Sequence, residues 1–194
     1  LVRGNHEFRP EALPDIQVKY DEDLHGFVYY EPSFPNICYL QDGGLYSYKE
    51  KSILAIGGAY SVDKYYRLQR GWNWFKDEQL SENERLKLSD KLKGHSCDII
   101  LSHTCPKEFQ PTDLFLSMID QTMVDSSMEE WLSELSKNIN WKYWLFGHYH
   151  QNRIVDKNVF MLFDGFVDID MLQPFDLQTM SAPDDFVISK HLKI

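Results

Sequence analysis

Three short segments of this sequence place histidine beside other side chains that can bind metal ions. The first is GNHE at residues 4–7, close to the first residue. His103 lies in the second, LSHTCP, and the third is GHYH at residues 147–150. Imidazole nitrogen and amide oxygen both bind Zn²⁺, Mn²⁺ and Fe²⁺, so these side chains could together form a metal site.

Each segment directly follows a short apolar stretch. Leu1 and Val2 precede the first, DIILS precedes His103, and WLF precedes residues 147–150. In α/β sheets, neighbouring strands end at a common edge, where loop residues build ligand sites. We therefore expect one amide and four imidazoles to meet at such an edge. They belong to Asn5, His6, His103, His148 and His150.

The residues alone leave the chemistry open. Asn after Gly is also common in turns, because Asn tolerates a left-handed backbone and caps helices. A hydrolytic two-metal site normally contains a bridging carboxylate as well. No aspartate stands at a matching strand end before His6, and the spacing of Asp164 and Asp168 does not mark either as a ligand.

Two helices are predicted between these segments. Ser81 and Glu84 have the spacing of a capping box, which predicts a helix from Ser81 towards Gly94. A second helix is predicted over residues 127–139, with Ser127 and Glu130 in capping positions. Its apolar residues recur at helical spacing, and they are Met128, Trp131, Leu132, Leu135 and Ile139.

Short apolar runs predict the strands. CDIILSH and WKYWLF each have strand length. LYSY and SILAIGG, on either side of residues 49–51, indicate a hairpin, and RIVDKNVFMLFDG indicates another around residues 157–158. Residues 10–36, which are rich in proline and acidic side chains, are predicted to be irregular. This alternation predicts an α/β domain whose sheets are covered by helices.

Size and charge narrow the classes of function. The chain has 194 residues and a formal net charge of −10, and we expect a single domain over residues 1–194. The negative charge opposes binding to nucleic-acid duplexes and to anionic membranes, so neither is an expected partner. Three cysteines without a C-x-x-C pair argue against disulfides and favour a cytoplasmic location. No apolar run is long enough to span a membrane.

In this order, the three segments resemble the calcineurin-like metallophosphoesterase superfamily. Its pattern runs D-x-H, G-D-x-x-D-R, G-N-H-[ED], a histidine after a strand, and G-H-x-H. GNHE, the histidine of LSHTCP and GHYH match the last three motifs. VRGNHE is also similar to the Ser/Thr protein phosphatases, whereas SHTCP looks more like the smaller bacterial and phage enzymes of the superfamily.

The resemblance implies a metal site and a fold. Asn5, His103 and His148 would bind one divalent ion. His150 would bind a second ion, and Mn, Fe and Zn are the candidate metals. The implied fold is a four-layer α/β/β/α sandwich with two mixed sheets.

His6 resembles the catalytic histidine of the family, which protonates or stabilises the leaving oxygen, and Glu7 is its expected orienting partner. The D-x-H and G-D-x-x-D-R motifs are absent from the sequence, and with them the bridging aspartate and a phosphate-facing arginine. Read in this way, the sequence is the downstream part of a longer protein. We expect the fold to be incomplete at the N-terminus and these residues alone to lack full activity.

A fourth segment, residues 60–74, sets charged side chains among tyrosines and tryptophans. It follows the predicted strand SILAIGG and looks like a segment found in a bacterial branch of the family. In a protein of net charge −10, arginines beside aromatic rings could receive an anionic substrate. We therefore expect Asp63, Arg67 and Arg70 to bind substrate.

The expected function is hydrolysis of a phosphomonoester, either a phosphorylated small molecule or a phosphoprotein. Hydrolysis of a phosphodiester is an alternative, because loops set specificity in such enzymes. A noncatalytic interaction or scaffold domain with a degraded metal site is a further alternative. The two absent motifs favour it, and the complete amide and imidazole set opposes it.

Overall fold

The computed structural model describes residues 1–165, 167 and 169. In this part of the chain, nine strands form two sheets, accompanied by three α-helices. The strands are β1 (Gln17–Asp21), β2 (Gly26–Tyr30), β3 (Cys38–Leu40), β4 (Gly44–Tyr48), β5 (Lys51–Ile56), β6 (Ser96–Ser102), β7 (Asn140–Phe146), β8 (Arg153–Asp156) and β9 (Val159–Met161). The helices are α1 (Lys64–Gln69), α2 (Glu82–Leu92) and α3 (Ser127–Asn138).

The larger sheet is mixed and has the strand order β4-β5-β6-β7-β9-β8. Strands β5, β6, β7 and β9 are parallel, whereas β4 and β8 are antiparallel to their neighbours at the two edges. The predicted hairpins correspond to β4-β5 and β8-β9, and the predicted strands CDIILSH and WKYWLF to β6 and β7. All four parallel strands therefore end at the same edge of the sheet.

The smaller sheet is antiparallel, with the order β1-β2-β3. The prediction that residues 10–36 are irregular is wrong for β1 and β2. The prolines of this segment lie outside both strands, where they do not remove a hydrogen-bond donor from the ladder. Val28 of β2 is fully buried, whereas Phe27 points to solvent. One face of this sheet therefore contributes to the core.

Helix α2 begins as predicted. The Ser81 hydroxyl accepts a hydrogen bond from the Glu84 backbone N–H, and the Glu84 carboxylate accepts one from the Ser81 N–H at 2.7 Å. The same carboxylate binds the buried guanidinium of Arg9 at 2.7 Å. The capping box thus also connects the helix to the segment that follows GNHE.

Helix α3 is present, but its predicted cap is wrong by one residue. Its N-cap is Ser126, and the Ser127 hydroxyl accepts a hydrogen bond from Arg85 instead. The Asp125 carboxylate accepts from the Ser127 backbone N–H at 3.0 Å. An aspartate just before the helix therefore satisfies the backbone donor that the sequence pattern had assigned to serine.

Apolar side chains cover both faces of the larger sheet. On one face, Leu54, Ile100 and Trp144 pack with residues of α2 and α3, such as Leu92 and Leu132. On the other face, Ile53, Ile99 and Leu145 pack with Val28 of the smaller sheet. The predicted α/β fold with two sheets is therefore confirmed.

In the described part of the chain, no helix combines the length and the apolar character needed to cross a bilayer. Cys38, Cys97 and Cys105 are all free thiols. Burial raises the pKa of Cys105 far above its ordinary value, which keeps this thiol protonated beside His103. Cys105 is accordingly an inert packing residue.

Candidate metal centre

The loops after β6 and β7 continue the hydrogen bonding of the sheet beyond the strand ends. The backbone N–H of His103 donates to the carbonyl of Ile56 at 3.0 Å, and the N–H of Gly147 donates to the carbonyl of His103 at 3.0 Å. The backbone that carries His103 and the GHYH segment is therefore a rigid extension of three neighbouring strands.

Residues 1–3 approach the same edge, although they form no regular strand. The N–H of Gly58 donates to the Arg3 carbonyl at 2.9 Å, and the N–H of Leu40 donates to the Leu1 carbonyl at 2.8 Å. The first bond places the GNHE segment beside the end of β5, and the second joins the residues before it to β3. The three histidine-containing segments therefore meet at one edge, as predicted.

Asn5 and His103 form the centre of the site. The Asn5 side chain is 7% exposed, and its amide oxygen Oδ1 lies 2.9 Å from Nε2 of His103. Its amide nitrogen donates to the hydroxyl of the buried Ser61 at 2.8 Å. Because the nitrogen is held by Ser61, the oxygen must face the histidine.

The His148 ring packs edge-on against the His103 ring, with centroids 5.1 Å apart. Burial is the main cause that lowers the pKa of His103 to about 3 and that of His148 to about 4. Both imidazoles are thus neutral at pH 7, which is the form that binds a metal ion.

The GHYH segment has an unusual backbone. His148 and His150 have φ angles of 69° and 54°, in the left-handed region that most residues avoid. The N–H of Tyr149 donates to the carbonyl of Gly147 at 2.8 Å, which closes a tight turn. This turn aims His148 at His103 and stacks His150 on Phe163, with centroids 5.1 Å apart.

A pocket of about 330 Å³ opens over these residues. The four predicted metal ligands and the predicted catalytic histidine all line it, together with Glu7 and Phe163. The predicted ligands are Asn5, His103, His148 and His150, and the histidine is His6. A larger depression of about 830 Å³ surrounds Arg9 and Glu84, but these two side chains already bind each other.

His6 is held by two of the three residues predicted to bind substrate. Its Nε2 lies 3.3 Å from the Asp63 carboxylate, and its Nδ1 lies 3.4 Å from Nη1 of Arg67. Arginine can only donate, so Nδ1 accepts and the ring proton resides on Nε2, where it faces Asp63. Asp63 and Arg67 also form an ion pair at 3.5 Å.

Two predicted residues lie elsewhere than expected. The Glu7 carboxylate turns back to accept a hydrogen bond from the Gly4 N–H at 3.3 Å, so Asp63 is the carboxylate that faces His6. Arg70 stacks on Tyr66 at 4.6 Å, on the surface of α1 and outside the pocket lining. Asp168 lies outside the described residues.

A comparison with protein-family models matches residues 1–152 to the calcineurin-like phosphoesterases. The chain belongs to this family. No curated protein and no solved structure matches it. This match confirms the resemblance seen in the three motifs. Members of the family hydrolyse phosphoesters with the help of metal ions, and the chain is therefore a phosphoesterase of hydrolase type.

The residues of this phosphoesterase fit a metal ion in their chemistry. Asn5 Oδ1 and His103 Nε2 lie 2.9 Å apart, and the rings of His103 and His148 are neutral. Among residues 1–165, 167 and 169, no three His, Cys, Asp or Glu side chains converge closely enough to bind an ion by themselves. The fit therefore depends on the Asn5 amide, with His103 and His148 as its partners.

Four residues behind the centre were missed by sequence reasoning. Arg3 is 2% exposed, pairs with Asp42 at 3.1 Å, and donates to the carbonyl of Glu78 at 2.9 Å, which anchors the GNHE segment from below. The Glu78 carboxylate accepts from the Ser61 N–H at 3.0 Å. No local pattern marks these contacts, because each joins positions far apart in sequence.

Tyr149 is the fifth missed residue, although it stands inside the GHYH motif. Its hydroxyl lies 3.2 Å from Thr104 Oγ1 and accepts from Gln110 at 3.3 Å. The Thr104 hydroxyl donates to the Glu129 carboxylate at 2.7 Å, so it accepts from Tyr149. This network links the two histidine loops to α3. Burial raises the pKa of both Tyr149 and Glu129.

Proposed function

We propose that this phosphoesterase hydrolyses phosphomonoesters, with a phosphorylated small molecule or a phosphoprotein as substrate and with two divalent ions, of which Mn²⁺ is the first candidate. The observation that carries the proposal is the 2.9 Å approach of Asn5 Oδ1 to His103 Nε2, with the neutral His148 ring beside them. An amide and two neutral imidazoles at the end of a parallel sheet have few purposes in packing, but they suit a divalent ion.

Asn5, His103 and His148 would hold one ion, and His150 would contribute to the second. When bound, the ions polarise the phosphoryl oxygens and lower the pKa of water at the site. The Ser61 hydroxyl keeps the Asn5 oxygen in its ligating orientation. The backbone bonds from Ile56 and His103 fix the positions of the loops, so little rearrangement accompanies binding.

His6 would stabilise the leaving oxygen through a hydrogen bond from Nε2–H. Its Nδ1 accepts from Arg67, so Nε2 carries the ring proton, and the Asp63 carboxylate, which accepts this hydrogen bond in the structure, orients the ring and would give way to the leaving oxygen. His6 lines the pocket and is 42% exposed in its side chain, which gives a substrate access to it. Asp63 takes the orienting role that the sequence had assigned to Glu7.

The charge around His6 favours a monoester over a diester. A phosphomonoester carries a charge of about −1.5 to −2 at pH 7, whereas a diester carries only one negative charge. The Arg67 guanidinium lies 3.4 Å from His6, which lines the pocket. A fixed guanidinium stabilises the more highly charged phosphate more strongly, in particular in a protein of net charge −10.

The test compares p-nitrophenyl phosphate with bis(p-nitrophenyl) phosphate, using the complete gene product and added Mn²⁺. We expect faster hydrolysis of the monoester. His6→Gln should lower kcat by about 10²-fold or more and leave the affinity for Mn²⁺ unchanged. His95→Gln, at an exposed loop position, is the matched control. Preference for the bis-ester would indicate a phosphodiesterase instead.

A noncatalytic binding domain is the second candidate. Its supporting observation is that Asn5, His103 and His148 are all neutral, so these described donors do not balance the charge of an ion. Binding of Mn²⁺ by the complete gene product without turnover of either ester would favour this candidate over the phosphomonoesterase.

A further inference from the structure

Three cations recur at every third residue along α1 and its C-cap, and the middle one, Arg67, contacts His6. Lys64, Arg67 and Arg70 are three residues apart, and Arg70 still has a helical backbone at the C-cap. Successive members of this series are neighbours on the helix surface, turned by about 60° and about 4.5 Å apart along its axis. We call Lys64, Arg67 and Arg70 the α1 cationic row.

The members of the row differ in their partners. Arg67 is held by Asp63, by the carbonyl of Asn73 at 2.8 Å and by His6. Lys64 and Arg70 have no acidic side chain within ion-pair distance among the residues that the structure describes. Two cations without an acidic partner, on either side of the arginine that contacts His6, are notable in a protein with 30 acidic and 20 basic residues.

Aromatic rings hold these two unpaired cations in place. The Lys64 ammonium lies 3.9 Å from the centre of the Trp74 ring, and the Arg70 guanidinium lies 4.6 Å from the centre of the Tyr66 ring. A cation over a ring face keeps its N–H donors available to an anion, because the ring accepts no conventional hydrogen bond.

The turn after α1 fixes this surface. Gly71 has a φ of 69°, and the N–H of Trp72 then donates to the carbonyl of Arg67 at 2.9 Å. Trp72 thereby returns to pack edge-on against Tyr66, with centroids 5.8 Å apart. The cations are therefore preorganised, which reduces the entropy lost when an anion binds.

From this arrangement we infer that the α1 cationic row binds the leaving-group side of the substrate, and that this substrate is a phosphorylated peptide segment with acidic residues near the phosphorylated one. The inference rests on the proposed phosphomonoesterase function and names its substrate class. Arg67 faces the phosphoryl group through His6, while Lys64 and Arg70 face carboxylates on either side of it.

Spacing and exposure favour a peptide. An extended peptide advances about 3.3–3.6 Å per residue, so acidic side chains one to three residues from the phosphorylated residue match the separations within the row. Tyr65 and Trp72 are 73% and 50% exposed on the same short segment, which offers an open surface for a polymer rather than an enclosed cavity for a small molecule. The net charge of −10 opposes a nucleic acid on this surface.

The experiment measures binding apart from turnover. Two fluorescein-labelled phosphoserine peptides of equal length are compared, one with aspartates at positions −2 and +2 and one with asparagines there. Affinities for the complete gene product are measured by fluorescence anisotropy in EDTA, which prevents metal-dependent hydrolysis. The double variant Lys64→Ala/Arg70→Ala is compared with Lys87→Ala/Lys93→Ala. This control removes the same charge at two exposed residues, one in α2 and one at its C-cap.

We expect the acidic peptide to bind about ten-fold more tightly than its asparagine counterpart, corresponding to two exposed ion pairs. The Lys64→Ala/Arg70→Ala variant should reduce this ratio to about one, whereas Lys87→Ala/Lys93→Ala should retain it. If the native protein preferred the acidic peptide but hydrolysed neither p-nitrophenyl phosphate nor its bis-ester, the result would support peptide binding by the α1 cationic row and contradict the proposed phosphomonoesterase.

Three results would overturn the inference. The first is equal affinity of the native protein for the two peptides. The second is an equal loss of preference in both double variants, which would indicate only the general electrostatic field. The third is binding of oligo(dT) that is tighter than that of the acidic peptide and depends on Lys64 and Arg70, which would indicate a single-stranded nucleic acid.

Discussion

The amide oxygen of Asn5 lies 2.9 Å from Nε2 of His103, although 98 positions separate the two residues in sequence. In the resting structure the His103 N–H donates to this oxygen, since an amide oxygen can only accept. Both atoms are ligand atoms in the proposed metal centre. The hydrogen bond therefore holds the two prospective ligand atoms next to each other, and His103 would bind an ion through Nε2 once that nitrogen has given up its proton.

Asn5→Ala should weaken binding of Mn²⁺ by about ten-fold or more, because it removes one of the three donors of the described centre. Titration calorimetry of the complete gene product with Mn²⁺ measures this change. Asn83→Ala, at an exposed position on α2, should bind Mn²⁺ like the native protein. Unchanged affinity in Asn5→Ala would remove Asn5 from the site.

Acid should destabilise the metal-free protein through its buried histidines. The pKa values of His103 and His148 in the fold are about 3 and about 4, below the ordinary value of 6.5. Between pH 6.5 and pH 4 the unfolded chain gains protons at these positions and the folded chain does not. As the pH is lowered through this window, the free energy of unfolding therefore decreases by about 1.4 kcal/mol per pH unit for each histidine.

Urea unfolding in EDTA at pH 7, 5.5 and 4.5 measures this dependence. His103→Gln removes one titrating ring, so its stability should fall less steeply across the window than that of the native protein. His95→Gln, at an exposed loop position, should leave the slope unchanged. Identical slopes in His103→Gln and the native protein would show that the His103 ring is accessible to protons in the fold.

Tyr149→Phe should destabilise the protein by about 1–2 kcal/mol, because the partly buried hydrogen bonds of its hydroxyl with Thr104 and Gln110 are lost. It should also weaken Mn²⁺ binding by about ten-fold, since the hydroxyl fixes the turn that carries His148 and His150. Urea unfolding and calorimetry measure the two effects. Tyr65→Phe, at a ring that is 73% exposed, is the control. Reduced stability with native Mn²⁺ affinity would limit Tyr149 to packing.

Gly58→Ala should cost far more stability than Gly71→Ala. Both glycines have a left-handed backbone, with φ of 86° and 69°. A Cβ on Gly58 would lie 2.3 Å from the Glu78 carbonyl oxygen and 2.7 Å from the Arg3 guanidinium, whereas one on Gly71 meets nothing within 4 Å. We expect about 1–2 kcal/mol for Gly71→Ala and about 3–5 kcal/mol for Gly58→Ala, measured by urea unfolding.

Gly58→Ala should in addition reduce affinity for Mn²⁺, because displacement of Arg3 moves the GNHE segment that carries Asn5. Gly71→Ala should leave that affinity intact. If both variants bound Mn²⁺ equally well, the Arg3 anchor would be irrelevant to the metal centre.

The meeting of His103, His148 and His150 at one sheet edge could be predicted from sequence, because these residues follow apolar runs that form parallel strands, whereas the apolar residues before Asn5 form no regular strand. His103 follows β6 directly, and GHYH follows β7 directly. Because parallel strands end at the same edge of a sheet, the apolar run before each histidine was enough to predict that these residues lie close together in space. The Ser81 and Glu84 capping box was equally local and was predicted correctly.

The remainder depends on contacts that no local pattern encodes. The β1-β2 hairpin was missed because prolines outside the strands were interpreted as evidence against any strand. Glu7 is next to His6 in sequence, whereas Asp63 is close to it only in the folded structure. The path of the chain after β5 brings Asp63 to the ring, and no local pattern predicts that path. The Thr104, Tyr149 and Glu129 network likewise joins three separate elements.

The sheet hydrogen bonds that run past β5, β6 and β7 have a consequence for amide exchange. The amide protons of His103 and Gly147 are bonded in the same ladder as the strands, so they open only when the neighbouring strands separate. Their exchange with deuterated solvent should therefore be as slow as that of the β6 interior. The two histidine-containing loops thus share the cooperative unfolding of the sheet, unlike ordinary surface loops.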